Sequence, residues 1–439
     1  MFFKFFDRTS VSFVCVFIYR ALLDIVYAGF VSKNYEYEGF YFSFQVAALA
    51  SSYAGLAICS LALVWAQRRN GASIGNSMLG IVFAFYVVPG TSLWGCREFT
   101  LHSAVMLFGF LSICASRKFF DLFVNWRPPV AAWGMGPLYL GLACMSVLSL
   151  GLLGISGLLS NINFDLNLVY ETRDVFNDQF VGGRIGSYVI NWQAKVTNYA
   201  LVIFGLMARG VWRSLAIVGV FLQLVMFAVS GHKFYLFSLA LICAVYFVVH
   251  KRGALWKWWP YLAMVAAGVG FVLAANADTE LLGSILTRRL FFIPPMVGEM
   301  HVEFFSRPWN EYLRLSHSIF GGLTEYPFYD NYLHVISREM MGKVTNANTG
   351  IIGDGFDNFG WIGVAIWSVF VGGFLTVCDR ATENVDGALA NAITVVPAYS
   401  FVNSGFLTTL LTHGLLFAVL LAWAVSGAKS RQSNKPQQI

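Results

Sequence analysis

The chain has 439 residues, of which 57% are hydrophobic and only 12% charged. Soluble domains carry about a quarter charged residues, so a soluble globular protein is excluded. The formal net charge of +6 is concentrated near the ends of apolar runs rather than in one basic face, and nothing points to nucleic-acid binding.

Apolar runs of spanning length, about 20 residues each, recur along the chain. They predict an all-α polytopic integral membrane protein with about twelve transmembrane helices. The expected spans are 10–31, 40–66, 74–94, 101–115, 130–153, 188–207, 212–230, 234–249, 260–275, 361–377, 388–402 and 406–425. The fourth and the eleventh are short. With both termini on one side, that side holds sixteen Lys and Arg residues, from Lys4 to Lys435, and the short loops opposite hold only Lys33, Arg97 and Lys233. Positive charge near span ends stays cytoplasmic, so both termini are expected inside. Fourteen of the 23 acidic residues fall in two large outward loops, 154–187 and 276–360. The rest, 1–428, reads as a single bundle, and the polar tail 429–439 is expected to be disordered.

In chain order, the first span holds Arg20 and Asp24 at helical spacing, where each can neutralise the other. Glu36 and Glu38 follow it, a carboxylate pair able to hold a metal or to stay solvated. The first large loop predicts a short helix near 168–177 and carries Arg173 and Arg184. Gly182, Gly183 and Gly186 flank Arg184 and would let backbone approach a ligand. Lys233 stands in SGHK at the outer end of the eighth span, a point charge for a phosphate or a snorkelling lysine.

The second large loop opens with an expected helix that ends near Ile293, because Pro294 and Pro295 should stop it. Arg288 and Arg289 sit at its exit from the membrane, where guanidinium forks fit phosphate oxygens and also suit interfacial anchoring. The following stretches, MVGEMHVEFF and PWNEYLRLSHSIF, have near-helical apolar spacing and read as interfacial helices. Acid–base candidates are Glu299, His301, Glu303, His317, Asp354 and Asp357, with Asp354, Glu299 and His301 preferred in that role. Trp309, Tyr312 and Tyr329 offer ring faces to sugars, and Asn348 and Asp357 offer partners for hydroxyl groups. The seven cysteines give no outward pair and no Cys/His metal spacing, and no metal or cofactor is expected.

Four stretches together resemble the Wzy-type O-antigen (oligosaccharide repeat-unit) polymerases. They are NFDLNLVYETRDVF at 163–176, SGHKFYLFSLALICAVYF at 230–247, RRLFFIPP at 288–295 and NANTGIIGDGFDNFGWIGV at 346–364. The resemblance implies an enzyme of the bacterial inner membrane, its active site facing the periplasm. It would use undecaprenyl-diphosphate-linked oligosaccharide as both donor and acceptor. Arg173, Lys233, Arg288 and Arg289 match the basic positions of that family, and Arg184 fits its glycine-rich part. Positive charge from these groups, Arg288 foremost, would stabilise the departing diphosphate. The related O-antigen ligases place a His-Asn pair before the closing Gly-x-x-Gly, where this chain has Asn348, Thr349 and Gly350. The family also works beside a chain-length regulator. Ligase and flippase or exporter of lipid-linked oligosaccharide stay open as alternatives, although no internal repeat supports transport.

Overall fold

The computed structural model describes residues 2–68, 72–131, 134–165, 168–321 and 323–433. The protein is 77% helix, with no strand among the described residues. Eight helices there are long and apolar enough to cross a membrane: Phe13–Asn34, Val46–Ala66, Ile74–Cys96, Leu101–Phe123, Met135–Ile155, Gly210–Ser230, Lys233–Arg252 and Ile351–Ala381. Trp259–Ala274, Gly387–Val402 and Leu415–Ser426 are shorter apolar helices. The chain is therefore a polytopic, membrane-embedded helical protein. The helix from Leu101 runs to Phe123 and is longer than its apolar run suggests. The last helix continues to Ser433, so the first five residues of the expected disordered tail are helical, and 434–439 lie outside the described residues.

Contacts between connecting segments sort them onto two ends. At one, the Tyr41 hydroxyl donates to Glu98 (3.0 Å), Lys343 meets Glu38 (3.1 Å) and Arg173 donates to the Gly231 carbonyl (3.2 Å). At the other, Arg68 pairs with Asp121 (3.0 Å), and Arg380 donates to the Trp126 carbonyl (2.8 Å). The first is the end of the two large loops.

Ile74–Cys96 is buried along its whole apolar stretch and forms the centre of the bundle. A π turn at Phe83–Val87 interrupts it, and the Tyr19 hydroxyl donates to the Ala84 carbonyl there (2.8 Å). Arg20 and Asp24 form a salt bridge within the bundle. Arg20 also donates to the Thr91 carbonyl (2.6 Å), and Asp24 accepts from Ser92 (2.6 Å). The charges cancel locally.

The segment expected to begin a polar loop instead turns back into the bundle. Gly283 packs on Ala274, and Gly270 packs on Leu286 and Thr287, so Glu280–Ser284 and the π turn Ile285–Phe292 run against Trp259–Ala274. Phe291 stacks on Phe85 with centroids 5.7 Å apart. Pro294 and Pro295 do not stop the chain; they occupy the first turn of helix Ile293–Ser306, where N–H groups have no intrahelical partner to lose. That helix is buried rather than interfacial, with Met296, Met300, Val302, Phe304 and Phe305 in the core. Residues 308–320 are turns, not a helix, and a helix at Tyr332–Met341 takes up residues with no such expectation.

Gly360 makes the second reversal. It has φ +57°, and the chain folds so that Asp354 lies beside Trp367 and Gly355 touches Gly363. A Cβ at Gly360 would also sit 2.8 Å from the Tyr312 hydroxyl oxygen. Gly360→Ala is expected to cost about 1–3 kcal/mol, read as a lower melting temperature in detergent. An unchanged melting temperature would show that the reversal tolerates a side chain.

Candidate functional site

Two adjoining cavities of about 660 and 640 Å³ lie at the end of the large loops. Both fall within the usual size range of small-ligand sites. They share Arg184, His317, Ser318, Ile319, Asp354 and Thr408. Phe176, Phe180 and Tyr188 line the first, and Tyr326, Tyr332, Asn348 and Thr349 line the second. Ring faces and polar groups therefore surround one space.

Asp354 sits in helix 351–358, which the Gly360 reversal brings against the following span. Trp367 Nε1 (2.6 Å) and the Phe406 amide (2.8 Å) both donate to its Oδ2. Gly405 permits this approach, because a Cβ there would lie 2.8 Å from the carboxylate carbon. Asp354 Oδ1 accepts a longer bond from Asn358 Nδ2 (3.3 Å) and faces His317 Nε2 at 3.7 Å.

A strained turn positions His317. Arg314 and Leu315 have φ of +49° and +66°, an uncommon conformation for residues other than glycine. Helix 351–358 holds it: the Leu313 amide donates to the Asp357 carbonyl (2.9 Å), and the Leu315 amide donates to Asn358 Oδ1 (2.8 Å). Asn358 Nδ2 is anchored in turn on the Asp354 carbonyl (2.7 Å). One asparagine thus links the strained turn to the acid. The His317 ring packs against Tyr332 with centroids 5.0 Å apart; its Nδ1 is buried without a hydrogen-bond partner, which leaves Nε2 to face a ligand. A partly exposed imidazole oriented beside a carboxylate is a base able to serve a ligand hydroxyl.

His301 and Asp357 lie behind this wall and are completely buried. His301 Nδ1 donates to Asp357 Oδ2 (2.7 Å), and Nε2 donates to the Ala347 carbonyl (2.7 Å). Burial alone would drive the second proton off the imidazole. The Asp357 carboxylate and the Ala347 carbonyl outweigh it and hold the ring above its ordinary value. With both ring nitrogens engaged, His301 clamps helix Ile293–Ser306 to 347–357. The expected roles of His301 as a base and Asp357 as a glycan contact give way to this clamp.

Glu299 is likewise engaged. Burial raises its carboxyl above the usual range, opposed by Arg97, whose Nη1 donates to it at 2.7 Å. It is placed as a counter-charge rather than as a base for the cavity. Arg288 is buried, forms a salt bridge with Glu38, donates from Nε to Ser284 Oγ (3.1 Å) and lies 4.0 Å over the Tyr35 ring. Glu38 also takes Lys343, so the carboxylate that follows the first span and the arginine of the π turn Ile285–Phe292 form a latch. That placement does not bring Arg288 to the cavities.

The other cations differ. Among the described residues, Arg173, Arg184, Lys233 and Arg289 have no carboxylate within ion-pair distance, while Arg97, Arg288, Arg307, Arg338 and Lys343 at the same end each have one. Helix Val169–Gln179 docks on the turn at Gly231, whose α-carbon leaves no room for a Cβ beside the Val169 carbonyl (2.4 Å). Arg173 is thereby set beside Lys233. Tyr399 joins Phe234 (centroids 6.5 Å) to the Leu290 carbonyl (3.5 Å), next to exposed Arg289. Of the expected sugar contacts, Asn348 lines the second cavity, Tyr312 is packed against Phe305 (6.2 Å), and Trp309 and Tyr329 are exposed away from it.

His317 is among the acid–base candidates of the sequence, although others rank above it there, and Ser404, Thr408 and His413 are not. Ser404 falls between two expected spans, whereas Thr408 and His413 fall inside the last of them, where an ionisable histidine in an apolar run is the signal. Comparison with known proteins gives no match to a family model, a curated protein or a solved structure.

Proposed function

We propose that this protein is a glycosyltransferase that joins undecaprenyl-diphosphate-linked oligosaccharide repeat units at the end of its large loops. That end would be the periplasmic face of a bacterial inner membrane. The observation that carries the reading is His317 beside Asp354 in a ring-lined cavity whose rim holds Arg184. His317 Nε2 takes the proton of an acceptor-sugar hydroxyl, and Asp354, 3.7 Å from that nitrogen, balances the charge it gains. The freed oxygen bonds to the anomeric carbon of the donor chain. The bond from that carbon to the lipid diphosphate breaks, and the electron pair leaves with the phosphate oxygen. Arg184, with the carboxylate-free Arg173, Lys233 and Arg289 at the same end, supplies the opposing charge.

Fixed cations meet the negative charge in this scheme, so activity is expected to survive EDTA. The test is elongation by purified protein in detergent on one defined undecaprenyl-diphosphate repeat unit. A ladder rising by whole repeat units is the expected product. Transfer only after lipid A core is added would mean a ligase instead. Silence in both, with substrate moved across a sealed vesicle, would mean a flippase.

A further inference from the structure

Behind the second cavity runs a chain of three side chains from separate elements. Lys195 lies in the π turn Gln193–Thr197, a distortion often found at functional sites. Its Nζ is 2.5 Å from His413 Nδ1, and His413 Nε2 is 2.8 Å from Ser404 Oγ. Ser404 lines the 640 Å³ cavity beside Gly405 and Asp354. The loop that carries His413 is held independently, with Trp192 Nε1 donating to the Leu411 carbonyl (2.6 Å).

The donors have one possible order when the lysine is charged. An ammonium only donates, so Nδ1 accepts and the ring proton sits on Nε2. That proton goes to Ser404 Oγ. The Ser404 hydroxyl proton then has no acceptor among the described protein groups and is left for an occupant of the cavity. No carboxylate among the described residues lies within ion-pair distance of Lys195. A largely buried cation lacking a counter-charge is costly, and an anion at the end of its hydrogen-bond chain relieves that cost.

We propose that Lys195, His413 and Ser404 form a charge-fed donor for a phosphate oxygen of the lipid diphosphate. This subsite rests on the glycan-transfer reading and adds to it. Ser404 is the contact, and His413 and Lys195 act through it as positioning residues.

Binding of farnesyl diphosphate to purified full-length protein tests it, with farnesol as the neutral control. Ser404→Ala is expected to weaken farnesyl diphosphate about tenfold, the loss of one hydrogen bond to a charged group, and to leave farnesol unchanged. Lys195→Met is expected to do the same, and the double variant to be no weaker than either single one. Ser404→Ala barely changes volume, so an unchanged melting temperature keeps it informative. If the wild type binds farnesyl diphosphate and Ser404→Ala binds it equally well, or if the two losses simply add, this inference is overturned alone. If the wild type does not bind it, the lipid-diphosphate reading falls as well.

Discussion

His317→Gln is expected to slow elongation by about 10²–10⁴-fold, the usual contribution of a positioned general base, with the protein folded and inserted as before. Glutamine can still hydrogen-bond at this partly exposed position but cannot accept a proton at neutral pH. Initial rates on the defined repeat unit, together with a melting curve, provide the check. Wild-type rates in this variant would move the base elsewhere. Asp354→Asn is a poorer probe, because Trp367 and the Phe406 amide both donate to one carboxylate oxygen. An amide there would turn a donor against a donor if its nitrogen faced them.

The largest effect on stability is expected from His301→Leu, at about 3–5 kcal/mol. It leaves Asp357 fully buried with no counter-charge, and Asp357 Oδ1 already has no hydrogen-bond partner. Replacing both residues, His301→Leu with Asp357→Leu, should recover most of the loss, because a buried pair contributes little beyond the cost of parting it. The wild type carries the matching pH signature. His301 binds its second proton more tightly folded than unfolded. Its stabilisation is therefore full below the unfolded imidazole value of about 6.5 and declines as pH rises through the higher folded value. Melting temperatures in detergent across that range, for the wild type and the double variant, measure it. A pH slope that persists in the double variant would assign the effect to another group.

Some of the candidate site is legible in the sequence. Arg173 and Lys233 are expected diphosphate contacts; neither has a carboxylate within ion-pair distance, and the Gly231 turn accepts the helix that bears Arg173. Arg184 and Asp354 were expected to be functional, and both line the cavity. Arg288 and Glu299 had the same claim on paper, yet both are taken up by ion pairs. Residue type and local spacing look alike in all four cases. The proline pair misled for a related reason: proline forbids a helix interior but suits a first turn, and only the position of the preceding residues tells which applies.

By itself, the sequence determined that the chain is an all-helical membrane bundle with its acidic residues gathered in two segments. Those properties depend on composition over windows of about 20 residues, a local quantity that the bilayer reads directly. The tertiary structure alone decided which charges are spent and which remain for a ligand. Arg288 meets Glu38 across 250 residues of sequence, and Arg97 meets Glu299 across 202. A charge is silenced by the nearest opposite charge in space, and that neighbour is set by how the helices pack rather than by anything within reach along the chain.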